Sequence, residues 1–180
     1  SSSVGGSIKG LLAGESIALA IYTSKKEGQL LSLAPGTIGP IVPVTLSDGQ
    51  DLLIAKGSYL ASENTVSLKT EFTGLKGFMA KKGLFLVRAS GPGVVFLSAA
   101  GDIREKELQV DERFVVDNDF VVAFDASVSY QLVTASRGLT NSLLSGEGLV
   151  NRYTGPGKIY YQTRAKSKAG VMSTVINSLT

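Results

Sequence analysis

The sequence predicts an all-β fold built from repeated antiparallel lobes, and three observations carry that expectation. Short stretches such as "TVSLKTEF" and "SVSYQLV" alternate apolar and polar residues, the period-2 pattern of a half-buried strand. Turn compositions, "SDG", "SEN", "GPG" and "DND", divide these stretches, each rich in residues that reverse a chain. Two kinds of block also recur along the chain at nearly constant offsets, the mark of an internal repeat.

Taken in order, the elements fall into two units. The segment 8–16, "IKGLLAGES", matches 75–83, "LKGFMAKKG", and 140–148, "TNSLLSGEG". The apolar pairs Leu11-Leu12, Phe78-Met79 and Leu143-Leu144 coincide, and this is unit A, present three times. Its second and third copies continue as "GLFLVRASGPGVVFL" (83–97) and "GEGLVNRYTGPGKIYY" (146–161), related by a shift of 155 − 91 = 64. Unit B occurs twice, as 46–69 and 108–131, at a shift of 108 − 46 = 62 and without a gap. The order A, B, A, B, A gives one unit of three related parts, at 6–72, 73–136 and 137–180. Only "SIKGLLAG" and the tail "VMSTVINSL" show helix-like spacing, and both are short.

The glycine clusters invite a phosphate-loop reading, which their context opposes. Gly91-Pro92-Gly93 and Gly155-Pro156-Gly157 are each followed by strand-like residues, "VVFL" and "KIYY". A phosphate cradle needs a helix N-terminus behind it. Proline fixes φ near −65° and flanking glycines tolerate φ > 0, so both triplets are read as structural turns.

Composition removes several classes of function. The chain has 180 residues, 43% of them hydrophobic, and 18 Lys plus Arg against 15 Asp plus Glu, a globular balance with a net charge of +3. That excess is too small to argue for nucleic acid without a clustered patch. No Cys and no His occur, which excludes disulfides and thiolate nucleophiles and removes the usual general base and commonest metal ligand. The longest apolar runs, such as "GVVFLSAAG", fall well short of the roughly 20 residues of a membrane-spanning helix. The chain opens on "SSSVGG" without a methionine or a signal peptide, which reads as a processed or trimmed end.

The residues with chemical potential each have a plain structural reading. Asp117-Asn118-Asp119 resembles a fragment of a calcium loop but lacks the following Gly and the closing Glu, so it is read as a tight turn. Glu15 and Glu147 share one position in two copies of unit A, where the third copy has Lys82; a repeated structural contact is expected. Arg88 and Arg152 each precede a Gly-Pro-Gly turn. They are candidate contacts for an anionic ligand or partner, weighed against a salt bridge to a strand carboxylate. Tyr153, beside Arg152, joins them as a candidate contact, although tyrosine at alternating strand positions usually packs in the core. The pairs Lys25-Lys26 and Lys81-Lys82, with Lys166 and Lys168, form a scattered basic surface. No nucleophile elbow, Walker loop or dinucleotide fingerprint is present. The expectation is a protein that is not an enzyme and carries no metal and no cofactor.

The runs "LLAGESIAL", "GSYLAS", "VVAFDASVSY" and "LLSGEGLVNRYTGPGKIYYQT" resemble the altered-inheritance-of-mitochondria family of the TRAP-like superfamily, named for the tryptophan RNA-binding attenuation protein. The resemblance covers essentially the whole chain. It implies three antiparallel β-lobes of double-stranded β-helix or sandwich type in a pseudo-threefold arrangement, with an undefined molecular activity. It implies a cytoplasmic location, or a mitochondrial one in a fungus. Chains of this family usually carry a further N-terminal segment of unit B type, which is missing here. The third lobe, residues 138–163, is therefore expected to lack a full set of strand partners. Ser1 to Gly6 are expected beside it, and "KIYYQT" as an exposed edge or a strand paired with another chain. A homo-oligomer, trimeric or larger, follows from such an edge. The leading functional reading is a structural or assembly protein, and the second is a small-ligand or nucleic-acid binding module, with nucleic acid the less favoured partner.

Overall fold

The computed structural model describes residues 5–8, 20–55, 57–73, 84–134 and 149–165. Within them the chain is almost wholly β. Strands β1 (Gly5–Ile8) and β2 (Ala20–Thr23) form a two-stranded antiparallel sheet. Then come β3 (Ile41–Leu46), β4 (Asp51–Ala55), β5 (Tyr59–Ser62), β6 (Ser67–Thr73), β7 (Leu84–Ser90) and β8 (Gly93–Ser98). The series repeats as β9 (Ile103–Leu108), β10 (Arg113–Val116), β11 (Val121–Asp125), β12 (Ser129–Thr134), β13 (Leu149–Thr154) and β14 (Gly157–Gln162). A single 3-10 turn, Asn118–Phe120, precedes β11.

Sheet order repeats with the sequence. Strands β3-β8-β5 form one sheet, and β9-β14-β11 have the same order inside a larger one. Strands β6-β7-β4 are matched by β12-β13-β10. The two halves meet where β4 pairs with β11, so that β6-β7-β4-β11-β14-β9 is one continuous six-stranded sheet.

Alternation along the strands places the two cores on opposite faces of this sheet. Leu52, Ile54, Val87 and Ala89 point to one face and pack with Leu46, Val95 and Leu97 of the β3-β8-β5 sheet. Phe124, Ile159 and Leu108 point to the other and pack with Val116 and Tyr153 of the β10-β13-β12 sheet. Each half is thus a two-sheet sandwich whose alternate residues interdigitate.

The seam mixes the cores. Leu53 of β4 lies opposite Phe124 of β11 and is buried in the second core. Val122 and Ala123 of β11 are buried in the first.

Strand pairing corrects three expectations. "KIYYQT" is no edge, because β14 lies between β9 and β11. Unit A closes on the unit B before it, not the one after it. The sheets therefore group residues 41–98 and 103–162, offset from the parts read at 6–72, 73–136 and 137–180. Of the helix-like "SIKGLLAG", Ser7 and Ile8 are in strand β1, where period-2 pairing with β2 prevails over a short 3.6-residue pattern. The rest of that stretch and the tail "VMSTVINSL" lie outside the described residues, as do Ser1 to Val4, Glu15 and Glu147.

Candidate functional site

The repeat extends to individual hydrogen bonds, and this identifies what the recurring residues do. In the turn before β4, Gln50 N donates to Ser47 O at 3.1 Å and Gly49 takes φ +73°. In the turn before β10, Glu112 N donates to Gln109 O at 3.0 Å and Asp111 takes φ +61°. Both Gly-Pro-Gly triplets turn the chain from one sheet to another, from β7 to β8 and from β13 to β14, and each contains a cis Gly-Pro bond.

The two glycines of each triplet have different reasons to be there. Gly93 and Gly157 take φ +140° and +136°, a region that L side chains avoid. Gly91 and Gly155 have ordinary φ, but a Cβ on either would clash with the backbone oxygen of Ser47 or Gln109 and with the Leu46 or Leu108 side chain. Beyond each turn an acidic side chain holds the start of the next strand. Glu63 accepts from Val94 N and Asp125 accepts from Lys158 N, both at 2.9 Å.

Arg88 sits in an ion cluster within its own sheet. Its guanidinium donates to Asp51 at 2.7 Å and to both oxygens of Glu71. A hydrogen bond from Ser90, followed by that from Arg88, holds the Asp51 carboxyl below its ordinary value. Glu71 first, then Asp51, pushes the guanidinium further toward its charged form. The salt-bridge reading describes Arg88.

Arg152 differs. The positions matching Asp51 and Glu71 hold Arg113 and Val133, and among the described residues neither Arg113 nor Arg152 makes an ion pair. Arg152 lies opposite Val115, and Arg113 lies opposite Thr154 two places along, so both arginines are on one face of β10-β13. Tyr153 alternates to the other face. It is fully buried, packs edge-on to Phe124 with ring centroids 5.1 Å apart, and accepts from Asn151 Nδ2 at 3.3 Å. Burial raises its phenol pKa. It belongs to the core rather than to a surface contact beside Arg152.

Asp117-Asn118-Asp119 is the tight turn. Asp117 caps the 3-10 turn by accepting from Asp119 N at 2.9 Å. Among the described residues, no three of His, Cys, Asp and Glu come together as a metal site.

Gln162 and Thr163 were not singled out by chemistry, yet they clamp the linker between the two sandwiches. Gln162, almost fully buried, accepts from Ala100 N at 2.9 Å and donates to Asp119 O at 2.7 Å. Thr163 Oγ1 accepts from Asp102 N at 2.9 Å, while Thr163 N donates to Asp102 O at 3.0 Å. The signal for this role is a long polar residue ending an otherwise apolar strand, "KIYYQT".

Among the sheet edges, two differ from their counterparts in the repeat. Strand β5 pairs only with β8, and β10 only with β13, among the described residues. Their counterparts by repeat, β11 and β4, pair with each other at the seam.

The comparisons with known proteins agree with this architecture. The chain matches the family described as "Mitochondrial biogenesis AIM24" over residues 2–164. It is 31% identical over 162 residues to an uncharacterised protein of Streptococcus pyogenes serotype M6, covering 89% of this chain and 64% of that protein. It superposes on the crystal structure of a Streptococcus pyogenes protein with a TM-score of 0.61 at 26% identity, covering 82% of this chain and 63% of the other. The chain therefore spans less than two thirds of the length of the relatives it matches. No helix among the described residues is long and apolar enough to cross a membrane. With the family matched across residues 2–164 and a bacterial relative at 31% identity, this chain belongs to the AIM24 family.

Proposed function

We propose that the protein is a non-enzymatic structural or assembly protein that works through self-association of its β-sheets. The single observation supporting this is that β5 and β10 are sheet edges among the described residues, whereas their counterparts by repeat, β11 and β4, pair with each other; an edge strand is a template for pairing with another chain. Several polar side chains go into the framework: Arg88 into an ion cluster, Glu63 and Asp125 into strand starts, Gln162 into the linker clamp. A homo-oligomer, trimeric or larger, and a cytoplasmic location go with this reading. Light scattering on the purified chain tests it. A mass of several chains that rises with concentration is expected, and a single-chain mass across the micromolar range refutes it.

A second reading, a small-ligand or nucleic-acid binding module, is favoured by Arg113 and Arg152, two cations on one sheet face without acidic partners among the described residues. A thermal-shift screen against tryptophan, nucleotides and single-stranded RNA separates the readings, because a ligand that binds only the folded chain raises its melting temperature.

A further inference from the structure

The chain contains a built example of how its lobes join, and among the described residues both halves of that joint also occur unjoined. At the seam, β4 and β11 pair antiparallel with Ile54 opposite Ala123, Leu53 opposite Phe124 and Leu52 opposite Asp125, and Ala126 N donates to Asp51 O at 3.0 Å. The repeat maps β4 onto β10 and β11 onto β5. Carried through the offset of 62, the same register sets Val116 opposite Ala61, Val115 opposite Ser62 and Phe114 opposite Glu63.

Exposure shows what is missing. Leu53, in the seam, is 4% exposed, whereas its counterpart Val115 is 52% exposed. All four of Val121, Val122, Ala123 and Phe124 are buried, whereas Tyr59, Leu60, Ala61 and Ser62 are all only half-buried. The same positions in the same fold are closed where two lobes meet and open where none does.

We propose that the β10 edge of one copy of this chain docks on the β5 edge of a second copy, in the register of the internal β4–β11 seam. This rests on the self-association reading above and specifies its contact. The contact is heterologous: each copy offers one β5 and one β10, so a dimer still has one of each free. Association continues into a ring where the rotation closes and into a filament where it does not.

The sequence has no cysteine, so the register can be read directly. Ser62→Cys and Val115→Cys variants are prepared separately, with tags of different size, and mixed in the presence of a short bismaleimide. The expected product is a cross-linked pair containing one of each variant, formed in the mixture and by neither variant alone. Ser62 shares a 3.0 Å hydroxyl contact with Tyr59, so the melting temperature of Ser62→Cys is checked against the parent chain. A Val115→Arg variant is the second arm. It should reduce the mass in light scattering to a single chain while its melting temperature measured under dilute conditions stays within about 2 °C of the parent's, as befits an exposed position.

The failures are distinct. Oligomers that cross-link Val115 to Val115, or that persist with Val115→Arg and give no mixed product, overturn the head-to-tail edge and leave self-association standing. A chain that is monomeric and does not cross-link overturns both. So does a longer form of the chain whose additional residues occupy these edges and keep it monomeric.

Discussion

Asp111 is the one described residue other than glycine with a positive φ, +61°, at the place where the matching turn has Gly49 at +73°. A left-handed conformation costs an L residue about 1 kcal/mol. Asp111→Gly should therefore raise stability by about 0.5–1 kcal/mol in urea unfolding, and a loss would show that the Asp111 side chain contributes more than the backbone strain. The Arg88 cluster makes a pH prediction. The folded-state pKa of Asp51 is depressed from about 3.8, so the cluster contributes stability above that value and loses it as pH falls below it. Stability should drop as pH falls below the ordinary carboxylate range, and Asp51→Asn should flatten that drop. At neutral pH, Arg88→Gln should cost about 1–2 kcal/mol, since it leaves Asp51 and Glu71 without their shared cation at partly exposed positions. Arg152→Gln, which breaks no ion pair among the described residues, should change stability by less than about 0.5 kcal/mol.

At the scale of elements, the linker clamp is the most exacting feature. Gln162→Leu keeps the volume but orphans the Ala100 N–H and the Asp119 carbonyl, at a cost of about 2–4 kcal/mol. Hydrogen exchange at Ala100 should quicken with it, and unchanged protection there would mean another group takes over. This clamp was hard to read from sequence because its two partners, Ala100 and Asp119, are 62 and 43 positions away and are contacted at their backbones. Turns were legible for the opposite reason. "GPG", "SDG" and "DND" turn the chain by local chemistry, and they do so here, between strands of different sheets. Strand character in "TVSLKTEF" and "SVSYQLV" was legible from alternation alone. Pairing was not, because a period of two says which face a residue takes but not which strand lies beside it. Hence the third unit A was read as lacking partners, whereas β13 and β14 have neighbours on both sides. Leu53 and Val115 occupy one position of the repeat, and only the fold shows that the first is covered and the second is not.

At the scale of the whole molecule, the seam decides whether the two sandwiches behave as one body. Each contributes residues to the other's core: Leu53 and Leu86 to the second, Val122, Ala123 and Tyr160 to the first. A sheet shared between two cores on opposite faces couples them, because neither half can lose its strands without uncovering apolar surface of the other. Unfolding should therefore be a single transition by fluorescence and circular dichroism alike, despite two separable hydrophobic clusters. Leu53→Ala is the discriminating change. It removes buried methyl groups from a position that belongs to the first sandwich by sequence and to the second core by packing, and large-to-small changes of this kind cost about 2–5 kcal/mol. In hydrogen exchange the loss should appear equally at β7–β8 and at β13–β14 if the halves unfold together. Loss confined to β13 and β14, with β8 as protected as before, would show that the sandwiches open independently and that the seam joins them without coupling them.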